Sequence, residues 1–202
     1  MSRLIRLNRV VIVEGKYDKI HLSNFIDATI IATNGFGVYK DKEIQRLIKT
    51  LCDKNGAVII TDSDAAGAQI RSFIKSFCDN NKIKNVYLPQ IKGKEKRKYH
   101  ASKQGFLGAE GLSREIIESA LEKYGVLDEA PAVSERITNT DLCLCGLSGK
   151  SGSKAARASF SAFCGLPCAL SPAMFLDALN SIYTRNDFIK EIEKWHQEQA
   201  KN

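Results

Sequence analysis

Asp62 and Asp64 stand two residues apart, directly after the apolar run Ala57-Val58-Ile59-Ile60-Thr61. Alternate residues of an extended chain point the same way, so the two carboxylates aim at one point just past the end of that run. Two like charges held together repel, and a cation or a shared proton between them relieves the cost. Carboxylate oxygens are hard ligands of the kind that suit Mg²⁺, and a divalent-metal site at Asp62 and Asp64 is expected. Glu14 follows Val10-Val11-Ile12-Val13 in the same way. A solvated turn residue is the plain alternative for it, but its place at the end of a second apolar run makes it the expected third ligand. Gly15 permits a tight turn beside it. Asp18, one helical turn further on, can cap the N–H groups of a helix start.

Those acids need elements to bring them together. The run 57–61, bounded by Gly56, reads as a strand buried on both faces of a sheet. Val10–Val13 is a strand by its β-branched content. Residues 28–33 form a second candidate, closed by Asn34-Gly35-Phe36-Gly37, which reads as a plain turn, though its glycines also let backbone approach a phosphate or a neighbouring loop. Residues 85–89 form another, stopped by Pro89. Between these runs, helical spacing is expected over 17–26, over 41–52 (Ile44, Leu47, Ile48, Leu51) and after Asp64 (Ile70, Phe73, Ile74, Phe77). The alternation predicts an α/β domain with a central parallel sheet flanked by helices. Open sheets of this kind bind ligands at the carboxyl ends of their strands. Ala65, Ala66 and Gly67 leave room at that end, and Arg71 is placed to reach a phosphate or, failing that, to lie exposed.

The chain has 202 residues, 44% of them hydrophobic, and a formal net charge of +7. That balance favours a polyanionic partner. Residues 138–202 carry seven Lys/Arg against six Asp/Glu, so the excess lies almost entirely in residues 1–137. One stretch dominates it: Lys92, Lys94, Lys96, Arg97, Lys98 and Lys103 stand against a single acid, Glu95. A long basic loop without periodicity is either functional or a solvated charge run, and at the mouth of a magnesium site it suits a phosphate backbone. Lys16, two residues after Glu14, joins the same set of contacts.

Three parts are expected: a catalytic domain over 1–125, a linker over 126–137, and a small helical domain over 138–202. In the last, Lys150, Lys154 and Arg157 lie at a glycine-rich helix start suited to a nucleic-acid phosphate. Gly146-Leu147-Ser148-Gly149-Lys150-Ser151 lacks the earlier glycine of a nucleotide-binding loop, since position 144 is Leu. The six cysteines lack zinc-site spacing and read as reduced thiols. No apolar run approaches the about 20 residues of a membrane span, and with no leader sequence apparent a cytoplasmic location without membrane association is expected.

The order Val-Val-Ile-Val-Glu14-Gly15-x-x-Asp18, then Ile-Ile-Thr-Asp62-Ser-Asp64-Ala-Ala-Gly67, resembles the Toprim domain of primases, type IA topoisomerases, recombination-repair proteins and a small ribonuclease family. The Asn34-Gly35 turn, the lysine-rich loop, the Gly-x-Glu110 that ends it and the Gly146-Leu-x-Gly149 entry to the tail are similar to the ribonuclease M-five family. Ala66 stands where topoisomerases carry a further acid, which argues against DNA transesterification. The resemblance implies a Mg²⁺-dependent endoribonuclease that cuts double-stranded precursor 5S ribosomal RNA, assisted by the large-subunit ribosomal protein that binds this RNA. Glu14, Asp62 and Asp64 would be catalytic and metal-binding, Asp18 and Gly15 would support them, and the basic residues above would grip RNA. Glu14 acting as a general acid or base remains an alternative. Glu110 would add an acidic group near the metal, or pair with the lysines. Two rival functions share these features: a Toprim protein acting on DNA in replication or repair, and a non-catalytic ribosome-assembly factor.

Overall fold

The computed structural model describes residues 4–93, 106–127 and 135–200, which fall into two compact units, Met1–Pro131 and Ala132–Asn202. The first unit runs β1 (Ile5–Arg6), β2 (Val10–Val13), α1 (Lys16–Leu22), β3 (Ile26–Asp27), β4 (Ile30–Ala32), α2 (Lys42–Asn55), β5 (Ala57–Thr61), α3 (Ala65–Lys75), β6 (Ile83–Tyr87) and α4 (Arg114–Lys123). Its main sheet is wholly parallel in the order β4-β2-β5-β6. Every strand therefore ends at the same edge. Val10 to Val13 and Ala57 to Ile60 are all fully buried, as two central strands covered on both faces must be.

Alternate side chains serve the two faces. Val11, Val13, Val58, Ile60 and Val86 pack with Leu22, Phe25, Ile117 and Leu121 in one apolar cluster. On the other face α2 lies against β2 and α3 against β5, supplying Leu47, Ile48, Leu51, Ile70 and Ile74, each 2% exposed or less.

Several boundaries differ from expectation: the strand expected over 28–33 is confined to Ile30–Ala32, and the helix expected over 41–52 runs on to Asn55. The helix expected over 17–26 stops at Leu22, because Phe25 and the residues after it are taken up by a short parallel pair with β1: Ile5 N–H donates to the Phe25 carbonyl at 2.8 Å and Ile5 pairs with Ile26. The strand expected over 85–89 begins earlier, at Ile83, which pairs with Ala57.

The second unit is helical: α5 (Asn139–Leu144), α6 (Ser153–Phe163), α7 (Pro172–Ile182) and α8 (Arg185–Gln199). Phe160 sits at its centre, with Phe175, Phe188 and Trp195 edge-on to its ring and none of the first three exposed to solvent. Buried Asp141 ties the helices together. It accepts from Thr138 N–H (2.8 Å) and takes two bonds from Arg185 at the start of α8, at 2.7 and 3.0 Å. Arg185 first, then Thr138, holds its carboxyl below the ordinary value of 3.8. A depressed carboxylate contributes stability above its unfolded pKa and loses it as pH falls through the folded one. Trp195, the single tryptophan, reports on this core. Asp141→Asn is expected to lower the urea midpoint read from Trp195 emission at pH 7, and the gap to wild type should begin to narrow once the pH is taken below the ordinary carboxyl value of 3.8. A gap that persists unchanged in acid would contradict the ion-pair account. Among the described residues no helix is long and apolar enough to cross a membrane.

Candidate active site

Val13 pairs with Ile60 across the β2/β5 ladder, so the next residue of β2, Glu14, emerges beside Thr61 and next to Asp62. Two groups fix the Glu14 main chain: Gly35 N–H donates to its carbonyl at 2.9 Å and the Thr33 hydroxyl at 3.1 Å. The glycine turn after β4 thus serves the neighbouring strand end. Glu14 Oε2 is buried and has no hydrogen-bond partner among the described residues. Burial, and then the charges of Asp62, Asp64 and Asp18 in that order, push the Glu14 carboxyl from 4.5 up to about 7, with Arg71 acting weakly the other way. A half-buried acid with three others near it thus stands at the shared edge of the sheet.

The aspartates are anchored by main-chain donors. Asp64 caps α3 by accepting from Gly67 N–H at 2.8 Å, and Asp62 Oδ1 accepts from Ala109 N–H at 3.2 Å. Asp18 uses both oxygens, one for Gly15 N–H (2.9 Å) and one for Glu110 N–H (3.1 Å). It therefore clamps the turn after β2 to the short 3-10 turn at Ala109–Gly111. Between the aspartates, the Ser63 hydroxyl donates to the Leu88 carbonyl, and Gln90 Nε2 donates to the Ser63 carbonyl, both at 3.0 Å. The expected capping role of Asp18 is present. The partnership of residues 62 and 109 leaves no local signal, because the contact spans 47 positions.

Arg71 is a correction. Its residue is 7% exposed, and its guanidinium donates to the Thr61 hydroxyl and reaches the Thr61 and Asp62 carbonyls at 3.4 Å, under the Tyr87 ring at 4.6 Å. Helical side chains lean towards their own N-terminus, which turns this arginine inward onto the strand ends instead of out to a phosphate. It braces the aspartate loop. Gly67 belongs to the same brace: a Cβ there would lie 2.2 Å from the Asp62 carbonyl oxygen and 2.9 Å from the Thr61 hydroxyl. Gly67→Ala is expected to destabilise the first unit by about 1–3 kcal/mol, the usual cost of overpacking, and to weaken any function of the aspartates more than stability alone accounts for. Urea titration beside an activity measurement separates the two.

The other expected residues are distributed more widely. Lys16 and Lys92 are exposed on the first unit, and Lys92 pairs with Phe106 in an isolated antiparallel bridge. Lys94, Lys96, Arg97, Lys98 and Lys103 lie outside the described residues. Glu110 meets the acids through its main-chain N–H. Lys150 and Lys154 are exposed on the second unit, whereas Arg157 donates to the Leu147 carbonyl at 2.8 Å and helps hold the glycine-rich turn.

Among the described residues no group of three or more His, Cys, Asp or Glu side chains stands assembled around one point as metal ligands do. Like charges turn towards the available N–H groups, as Asp18, Asp62 and Asp64 do here. The residues nevertheless fit a hard cation. A buried carboxylate oxygen on Glu14, unpartnered among the described residues and destabilised by its acidic neighbours, is the group that an oxygen-seeking divalent ion relieves.

Comparison with known proteins agrees with this geometry. Residues 9–91 match the Toprim domain, and domains of this type generally bind a divalent metal. Over 163 residues the chain is 34% identical to the ribonuclease M5 of Fusobacterium nucleatum, covering 80% of this chain and 81% of that one. It is 32% identical over 153 residues to the ribonuclease M5 of Bacillus anthracis, with 76% of each covered. It is 27% identical over 191 residues to that of Clostridium botulinum, with 93% and 96% covered.

Proposed function

The chain belongs to the ribonuclease M5 family and is an endoribonuclease of that type, and from that premise we propose that it hydrolyses double-stranded precursor 5S ribosomal RNA with Mg²⁺ held by Glu14, Asp62 and Asp64. The observation that carries the site is the buried Glu14 oxygen, unpartnered among the described residues, beside the aspartate pair at the carboxyl edge of a parallel sheet. Bound there, Mg²⁺ would polarise a phosphoryl oxygen and make water a better nucleophile. Asp62 and Asp64 supply negative charge from a loop that Arg71 and Gly67 keep in register. Glu14, with its pKa near 7, is also suited to take or give a proton at working pH, and this second role follows from the same burial.

Lys16 and Lys92, with the remaining basic residues of the loop, would neutralise RNA phosphates around the first unit. Lys150 and Lys154 would do so on the second. Glu110 would bring a further acid to the metal through the turn that Asp18 holds. A folded RNA is recognised largely by shape, and the 5S-binding ribosomal protein would present that shape. The division into a catalytic domain over 1–125, a linker over 126–137 and an RNA-binding domain over 138–202 belongs to the same reading.

Purified protein incubated with end-labelled 5S precursor, with and without Mg²⁺ and the ribosomal protein, is expected to give discrete products only when Mg²⁺ is present. Equal cleavage or equal affinity for a DNA duplex at matched salt would favour the DNA-directed reading. Absence of products under every condition would overturn the substrate assignment.

A further inference from the structure

Beside the acids stands a pair of exposed aromatic rings that the hydrolytic reading does not use. After β4 the chain makes a 3-10 turn over Gly35–Tyr39, in which Phe36 is 53% exposed and Tyr39 37%. Val38, between them, is completely buried and anchors the turn. The two rings are therefore displayed from a fixed support. Gln45 Nε2 donates to the Val38 and Tyr39 carbonyls at 2.7 and 3.2 Å. Asn34 and Gly35 hold left-handed conformations, with φ of 53° and 60°, to set the turn's direction. Tyr39 lies flat against Phe73 of α3, ring centroids 4.1 Å apart at 22°, and Phe36 meets Tyr39 edge-on at 5.7 Å. The turn is also tied to the acids, since Gly35, next to Phe36, donates its N–H to the Glu14 carbonyl at 2.9 Å.

We propose that Phe36, supported by Tyr39, is a stacking platform for one unpaired nucleobase of the RNA, next to the phosphate addressed by Glu14 and the aspartates. The proposal rests on the ribonuclease reading and adds a substrate feature to it, an unstacked nucleotide at the cut. Three observations select a nucleobase as the occupant. An exposed, rigidly held aromatic face matches the flat π-surface that every base carries. Exposed Lys40 and Lys42 follow the turn, supplying positive charge for the same nucleotide's backbone. The hydrogen bond to Glu14 puts the platform one residue from the acid site. In a paired helix the bases are already stacked on each other, so the platform discriminates in favour of a bulge or a splayed end.

The test uses the full chain in the presence of a metal chelator, so that no cleavage is needed. Two RNAs are titrated, a blunt duplex and the same duplex with a single bulged 2-aminopurine. Wild type is expected to favour the bulged RNA by about tenfold, within the range for one aromatic–base stack, and to quench the 2-aminopurine emission. Phe36→Ala should remove both the preference and the quenching while leaving the affinity for blunt duplex unchanged, and Phe36→Trp should keep both. Phe36→Leu keeps an apolar side chain in the turn and removes only the flat ring. It should behave as Phe36→Ala, with an unchanged melting temperature, which keeps the test valid if the alanine variant folds poorly. No preference in wild type, a preference that survives in Phe36→Leu, or an equal loss of affinity for both RNAs would overturn the platform. A turn that docks a protein instead would leave both titrations unmoved by these substitutions, which also overturns it. Loss of the hydrolase reading shows separately, as an absence of cleavage with Mg²⁺ while the chelated titrations still report on Phe36.

Discussion

Asp64→Asn is expected to reduce RNA cleavage by roughly a hundred- to thousandfold, the scale of several kcal/mol of transition-state charge stabilisation, while RNA affinity and the melting temperature stay near wild type. The substitution is chosen for what it keeps. Asp64 Oδ1 caps α3 through Gly67 N–H, and asparagine is as good a cap as aspartate. Its amide oxygen can accept the same bond, so the helix start and the strand-to-helix loop are preserved. What disappears is one negative charge beside Glu14. Asp64→Ala removes charge and cap together, and about 1 kcal/mol of helix stability goes with the cap, which makes it a poorer test. A readout independent of turnover accompanies the assay: Mn²⁺ or Mg²⁺ should raise the melting temperature of wild type, as any ligand specific to the folded state does, and should raise that of Asp64→Asn much less. Cleavage within tenfold of wild type, or a parallel loss of RNA binding, would falsify the assignment of Asp64 to the chemistry in favour of a scaffolding role.

The parts of this site that were legible in the sequence are those fixed by short range. Val10–Val13 and Ala57–Thr61 announce buried strands because every residue is apolar or β-branched, and an acid directly after such a run must stand at the sheet edge. Asp18 was legible as a cap because it sits one helical turn from Glu14. The illegible parts depend on partners far along the chain. Phe25 and Ile26 have the composition of a helix end, and only pairing with Ile5, about twenty positions earlier, takes them out of α1. Arg71 reads as a surface cation in any window of α3, since nothing local says that Thr61, Asp62 and Tyr87 form a slot for it. The same limit applies to Phe36: a turn aromatic in the sequence becomes a candidate platform only when Phe73 and Glu14, from two other elements, are found around its turn.

Glu14→Gln is expected to move stability and activity in opposite directions. Burial and three acidic neighbours raise the Glu14 carboxyl from 4.5 to about 7 in the fold. A carboxyl whose folded pKa is raised binds more protons folded than unfolded between those two values. Its contribution is therefore most favourable below pH 4.5, declines as the pH rises, and is fully unfavourable above about 7. Glutamine has the same shape and no charge to desolvate. With metal chelated, the variant and wild type should melt together at pH 4 to 5. By pH 8 the variant should be the more stable by on the order of 2 kcal/mol, a figure reduced from the full shift because the group still sees some solvent, which corresponds to several degrees. Saturating Mg²⁺ should reverse the order at pH 8, since wild type gains the binding free energy and the variant, lacking one ligand charge, gains little. Cleavage should fall at least a hundredfold, as for Asp64→Asn. A chelated Glu14→Gln protein that is less stable than wild type at pH 8 would mean that the Glu14 carboxylate is satisfied inside the fold. In that case the nearness of Asp62, Asp64 and Asp18 to Glu14 would not strain its carboxylate, and a cation would have no cost to relieve there.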